Sequence, residues 1–82
     1  MKAVIYANDM EQVAQCMEYA ETKGHQVIGM KNKGHDIIGE PEMEVLLIAV
    51  NKPKHRTWEE IQLIEKVSSW YEIELVEMEV AQ

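Results

Sequence analysis

The 82-residue chain has no phenylalanine, one cysteine, one arginine and two serines, and each shortage closes off something. A lone Cys16 cannot build an internal disulfide framework and fits a reducing compartment, so cytoplasm is the expected location. Cys16 sits at a helical position and reads as a small core hydrophobe. The longest apolar run is Val45 to Val50, far short of the about 20 residues a membrane helix needs. The residues after Met1-Lys2 also fall short of the about 7–15 apolar residues of a secretory signal, so neither membrane association nor export is expected. Base is scarce too: 8 Lys and Arg face 15 Asp and Glu, a net charge of -7, and direct DNA binding is not expected of so acidic a chain. No Gly-x-Gly-x-x-Gly or phosphate-loop pattern occurs, and no cofactor is expected.

What is present describes one small globular domain spanning residues 1–82, with 46% apolar and 28% charged residues and no repeat or low-complexity tract. The few basic residues cluster, as KNKGH at 31–35 and KPKHR at 52–56, while EIELVEMEV from Glu72 carries glutamates and no base.

Ala3 to Ala7 is a short apolar run suited to a strand covered on both faces. Asp9 followed by Gln12 fits a helix start, Val13, Cys16, Met17 and Ala20 give an apolar stripe, and Gly24 fits the helix end. His25 to Gly29 predicts a second strand. Met30 to Pro41 is polar and broken by glycine, which predicts a loop with a short extended piece at Ile37-Ile38. Val45 to Val50 is apolar at every position, as in a central parallel strand. Thr57 and Glu60 form a capping box for a helix with Ile61, Ile64, Val67 and Tyr71 on one stripe and Trp58 and Leu63 beside it. Trp58, Trp70, Tyr19 and Tyr71 are thus expected to pack in a core or interface rather than stack on bases. Ile73 to Val80 alternates apolar residues with glutamate, as an edge strand does. The order β-α-β-loop-β-α-β predicts an α/β fold with a four-stranded, mainly parallel sheet in a small three-layer domain. The crossover into the third strand has no helix, which leaves one sheet face short of cover that a homodimer could supply.

MKAVIYAN, then EQVAQCMEYAETKGHQVIG, resembles the N-terminal catalytic domain of serine recombinases, the resolvase/invertase family. Asp36-Ile37-Ile38-Gly39-Glu40-Pro41 resembles that family's Gly-Ile-Ser-Gly loop leading to Arg-Pro. LLIAVNKPKHRTWEEIQLIEKV resembles its third strand and the helix entered through Leu-Asp-Arg-Leu-Ser-Arg. The resemblance covers about residues 1–80 and is strongest over 1–29. It implies a resolvase-like scaffold of phage or mobile-element origin, without the helix before the third strand and stopping short of the long dimerisation helix and the DNA-binding domain.

The resemblance also implies what is missing. The family's nucleophilic serine falls at Met10 and an arginine that stabilises phosphate charge falls at Asn8, so the recombinase step has no attacking group. The later Asp-Arg-x-x-Arg pattern is replaced over Lys52 to Thr57, leaving Arg56 alone. Ser68 and Ser69 lie inside the second helix, where a surface role is expected. The implied function is that of a catalytically inactive domain working through protein contacts, its partner a second copy or a recombinase-type protein.

A different reading follows from position alone. Ligands of parallel sheets bind beyond the carboxyl ends of the strands. Asn8, Lys31, Lys33, Lys52, Lys54, His55 and Arg56 are therefore candidates for an anion, nucleotide or nucleic-acid-end site, against the simpler possibility of solvated loop charge. His25, His35 and His55, taken with Asp9 or Asp36, match no metal-site spacing, and no metal is expected.

Overall fold

The computed structural model describes residues 1–35 and 40–78; the expected extended piece at Ile37-Ile38 and the expected strand positions Glu79 and Val80 lie outside them. The elements are β1 (Lys2–Ala7), α1 (Met10–Lys23), β2 (Gln26–Asn32), β3 (Val45–Asn51), a 3-10 turn (Pro53–His55), α2 (Trp58–Ser68) and β4 (Ile73–Met78). The sheet has four strands in the order β2-β1-β3-β4, and every pairing is parallel.

The alternation of side chains along a strand divides the core in two. Ala3, Ile5 and Ala7 of β1, Val45, Leu47 and Ala49 of β3, and Val76 and Met78 of β4 pack under Cys16 and Ala20 of α1. Val4, Tyr6, Leu46, Ile48 and Val50 point the other way, against Leu63, Ile64 and Val67 of α2 and Tyr71 after it. The two helices therefore cover opposite faces, and the domain is a three-layer α/β/α sandwich.

Both helix starts are fixed by local hydrogen bonds. Asp9 Oδ1 accepts from the Gln12 N–H at 2.9 Å and opens α1. Gly24 closes it at φ 75°, a left-handed conformation that glycine adopts without a Cβ penalty, its N–H bonding to the carbonyls of Ala20 and Glu21. The expected capping box forms at α2: Thr57 Oγ1 accepts from the Glu60 N–H at 3.2 Å, and Glu60 reaches back to the Thr57 N–H.

Three expectations are corrected. β2 continues through Met30, Lys31 and Asn32, because Ile5, Tyr6 and Ala7 of β1 pair with those residues. The bare crossover leaves no strand of the centre uncovered: Val4 and Tyr6 are buried, Met43 packs on that side, and a Cβ added at Gly29 would meet Glu40 Cγ at 3.6 Å, so the 40–43 segment lies where a crossover helix would otherwise sit. Trp58, Ile61 and Trp70 stand exposed on the chain and do not enter its core. At about 100° per residue the buried arc of α2 centres on Glu60, Leu63, Ile64 and Val67, which puts Ile61 on the flank and Trp58 opposite the core. Trp70 lies past the helix end with Lys66 Nζ 5.2 Å from its ring centroid. Tyr19 and Tyr71 do pack against the core, and Cys16 is buried as expected.

One polar pair sits among these layers. His25 Nε2 lies 2.6 Å from Glu74 Oε2, joining the turn before β2 to the opposite edge strand, and the His25 Nδ1 is buried without a partner.

Leu47, wholly buried on β3, makes the direct test of this packing. Chemical denaturation of Leu47→Ala is expected to show a loss of about 2–5 kcal/mol with little change in slope. Gly24→Ala is expected to cost about 1 kcal/mol, from the left-handed backbone alone. Trp58→Ala should stay within about 0.5 kcal/mol of the parent.

Candidate binding cleft at the strand ends

β1 leads into α1 on one face and β3 into α2 on the other, although the two strands are neighbours. Their connections diverge, and the space between them at the carboxyl ends is where open parallel sheets take ligands. A cleft of about 490 Å³ lies there. Asn8 and Gln12 form one wall, Asn51 and Lys33 the floor and side, and Thr57, Glu59, Glu60 and Leu63 the wall from α2.

The polar groups of this cleft are heavily engaged with one another. Glu60 Oε2 accepts from the Asn51 N–H at 2.9 Å, and Oε1 from Asn51 Nδ2 at 2.7 Å and the Thr57 N–H at 3.3 Å. Desolvation pushes the Glu60 carboxyl up, but these donors, with the positive charge of Lys33, outweigh it and hold the group below its usual range. On the other wall Gln12 Oε1 accepts from the Asn8 N–H at 2.8 Å. Lys33 is half-buried, and its loss of hydration lowers the ammonium below its usual range despite the opposing pull of Glu60, Cys16 and Asp9. The Tyr6 hydroxyl lies 2.7 Å from the Lys33 carbonyl and 3.1 Å from that of His35, which fixes this stretch across the end of the sheet.

The candidate residues separate. Asn8 and Lys33 meet in the cleft. Lys31 lines a different depression, beside Met10, Val13 and Met30. Lys52, Lys54 and His55 stand exposed on the 3-10 turn. Arg56 acts as a brace: its Nε donates to the Asn51 carbonyl at 2.9 Å and its guanidinium pairs with Glu77 at 3.2 Å. Gln12, Asn51 and Glu59 escape a search for charge clusters, because two are neutral and all are brought in by strand and helix ends. The capping-box residues Thr57 and Glu60 are visible in sequence; their second task at Asn51 is not.

Chemically the cleft offers one ammonium, amide donors, a hydroxyl engaged in the cap and two carboxylates. Met10, where the resemblance sets a serine, is 79% exposed at the first position of α1. Among the described residues no group of three or more His, Cys, Asp or Glu is arranged to hold a metal, and no helix is long and apolar enough to cross a membrane. No family model, curated protein or solved structure matches the chain.

The Glu60 network gives a signed pH effect. A carboxyl held low in the folded state contributes stability that is complete above its unfolded value, about 4.3, and fades as pH falls through the lower folded value. Glu60→Gln is therefore expected to lose about 1 kcal/mol at pH 7, with the gap from the parent closing below about pH 4 in urea titrations. A gap independent of pH would contradict the role given to the charge.

Proposed function

We propose that this chain is a resolvase-like domain without recombinase chemistry, which works through protein contacts with a second copy or a recombinase-type protein. The observation that carries the reading is the site itself. At the end of β1, where the resemblance requires a serine hydroxyl and arginines, the chain has an exposed Met10 and an Asn8 whose N–H is bonded to Gln12. The one arginine of the 52–57 segment is turned to Asn51 and Glu77. The sheet supports the scaffold half of the reading, since adjacent β1 and β3 present their carboxyl ends together.

The expected outcome with a supercoiled two-site DNA substrate is no strand cleavage and no covalent protein–DNA adduct from this chain alone. Sedimentation equilibrium is expected to show self-association, or titration into a purified serine recombinase to change its rate in proportion to dose. A strict monomer that leaves the recombinase rate unchanged would overturn the reading.

The half-buried Lys33 favours a second reading, that the cleft takes a small anion. Thermal melting with inorganic phosphate and nucleotides is expected to show stabilisation that Lys33→Met abolishes and that Lys52→Ala with Lys54→Ala leaves intact, because only Lys33 lines the cleft. The absence of any shift across that panel excludes it.

A further inference from the structure

We propose that the cleft at the strand ends takes a small zwitterion of the amino-acid class, its carboxylate held by Gln12 and Lys33 and its ammonium by Asn51 and Glu59. The inference rests on the small-anion reading of the same cleft and names its ligand.

Two internal hydrogen bonds set the polarity of the cleft. A side-chain amide has one accepting and one donating end, so the bond made by one end decides which end is left for a ligand. Gln12 Oε1 accepts from the Asn8 N–H at 2.8 Å, which leaves the Gln12 Nε2 hydrogens to donate. Asn51 Nδ2 donates to Glu60 at 2.7 Å, which leaves the Asn51 Oδ1 to accept. Both residues line the cleft, and neither remaining end has a partner among the described residues. A donor thus comes from the start of α1 and an acceptor from the end of β3.

The free charges fall into the same two sets. Lys33 is held beside the end of β1, its N–H donating to the Ala7 carbonyl at 3.2 Å. Its half-buried ammonium lines the cleft without an ion pair among the described residues. On the α2 wall the oxygens of Glu60 are taken up by Asn51 and Thr57, whereas the exposed Glu59 has no partner among the described residues. Glu60 and Asp9, not Glu59, are the carboxylates whose charge acts on Lys33, so the unpaired cation and the unpaired anion stand apart in one cleft. A simple anion meets Lys33 and Gln12 but brings nothing to Glu59 and Asn51. A molecule with a carboxylate and a protonated amine answers both sets, and Leu63 gives its alkyl part an apolar contact. The volume of about 490 Å³ is in the range of small-molecule sites.

The test is thermal melting at fixed ionic strength with glycine, β-alanine and 4-aminobutyrate, each titrated to roughly 50 mM, against acetate, propionate and butyrate, which lack the amine. At least one zwitterion is expected to stabilise the chain with a dissociation constant about three- to tenfold below that of its amine-free counterpart. Glu59→Gln is expected to remove that advantage and keep carboxylate binding, and Lys33→Met to abolish both. Lys52→Ala with Lys54→Ala, outside the cleft, should change neither. Carboxylates or phosphate that stabilise through Lys33 as well as the zwitterions do overturn this inference and leave the small-anion reading standing, as does an advantage that Glu59→Gln does not reduce. The absence of any shift, with phosphate and nucleotides included, ends both, and so does a shift that survives Lys33→Met. Should a variant fail to fold by circular dichroism, the comparison of each zwitterion with its amine-free counterpart on the unaltered chain decides alone.

Discussion

The structure depends on the side-by-side pairing of β1 and β3. Both strands are buried on both faces, from Ala3 to Ala7 and from Val45 to Val50, so their outward and inward side chains alike must be kept from water. A short chain can meet that demand only by placing cover on each side, which sets α1 and α2 on opposite faces. The small residues Ala3, Ala7 and Ala49 under Cys16 and Ala20 then let α1 lie close enough to reach strands on both sides of β1. Parallel pairing of the same two strands, with departures to opposite faces, opens the cleft at their carboxyl ends. Core and cleft thus have one cause.

The cleft shows what happens when such a position is closed by internal bonding. Glu60 caps its own helix and holds the last residue of β3 through two hydrogen bonds, so the start of α2 is tied to the end of the strand before it. A carboxylate so engaged is a fastener more than a base. The cost of this arrangement falls on Lys33, whose ammonium is held below its usual range by lost hydration, and Glu60 offsets part of that effect.

The legible parts of the fold are those decided within a few residues. The Asp9 cap, the Gly24 terminus and the Thr57–Glu60 box are made by near neighbours in the chain, and the all-apolar Val45 to Val50 identifies a central strand by composition alone. The far end of β2 is illegible because Lys31 and Asn32 are polar, and only pairing with Tyr6 and Ala7 makes them strand. The site is half legible for a related reason. Lys33, Lys52 and Lys54 have the same charge and lie in similar loops, yet the Tyr6 hydroxyl fixes the Lys33 stretch across the sheet end while a 3-10 turn carries the others outward. Charge spacing has no access to that difference, nor to the turn of α2 that leaves Trp58 in water.

The two outer strands of the described sheet, β2 and β4, are unlike in charge. β4 carries two glutamates, both engaged: Glu74 reaches back beneath α1 to His25 and fastens the far edge to the turn before β2, and Glu77 pairs with Arg56. The His25–Glu74 pair thus ties an outer strand to the turn that follows α1. Among the described residues β2 has no carboxylate, and the exposed Met10, Met17 and Met30 lie on that side of the domain. Among the described residues the sheet therefore carries carboxylates on one outer strand and exposed methionines beside the other.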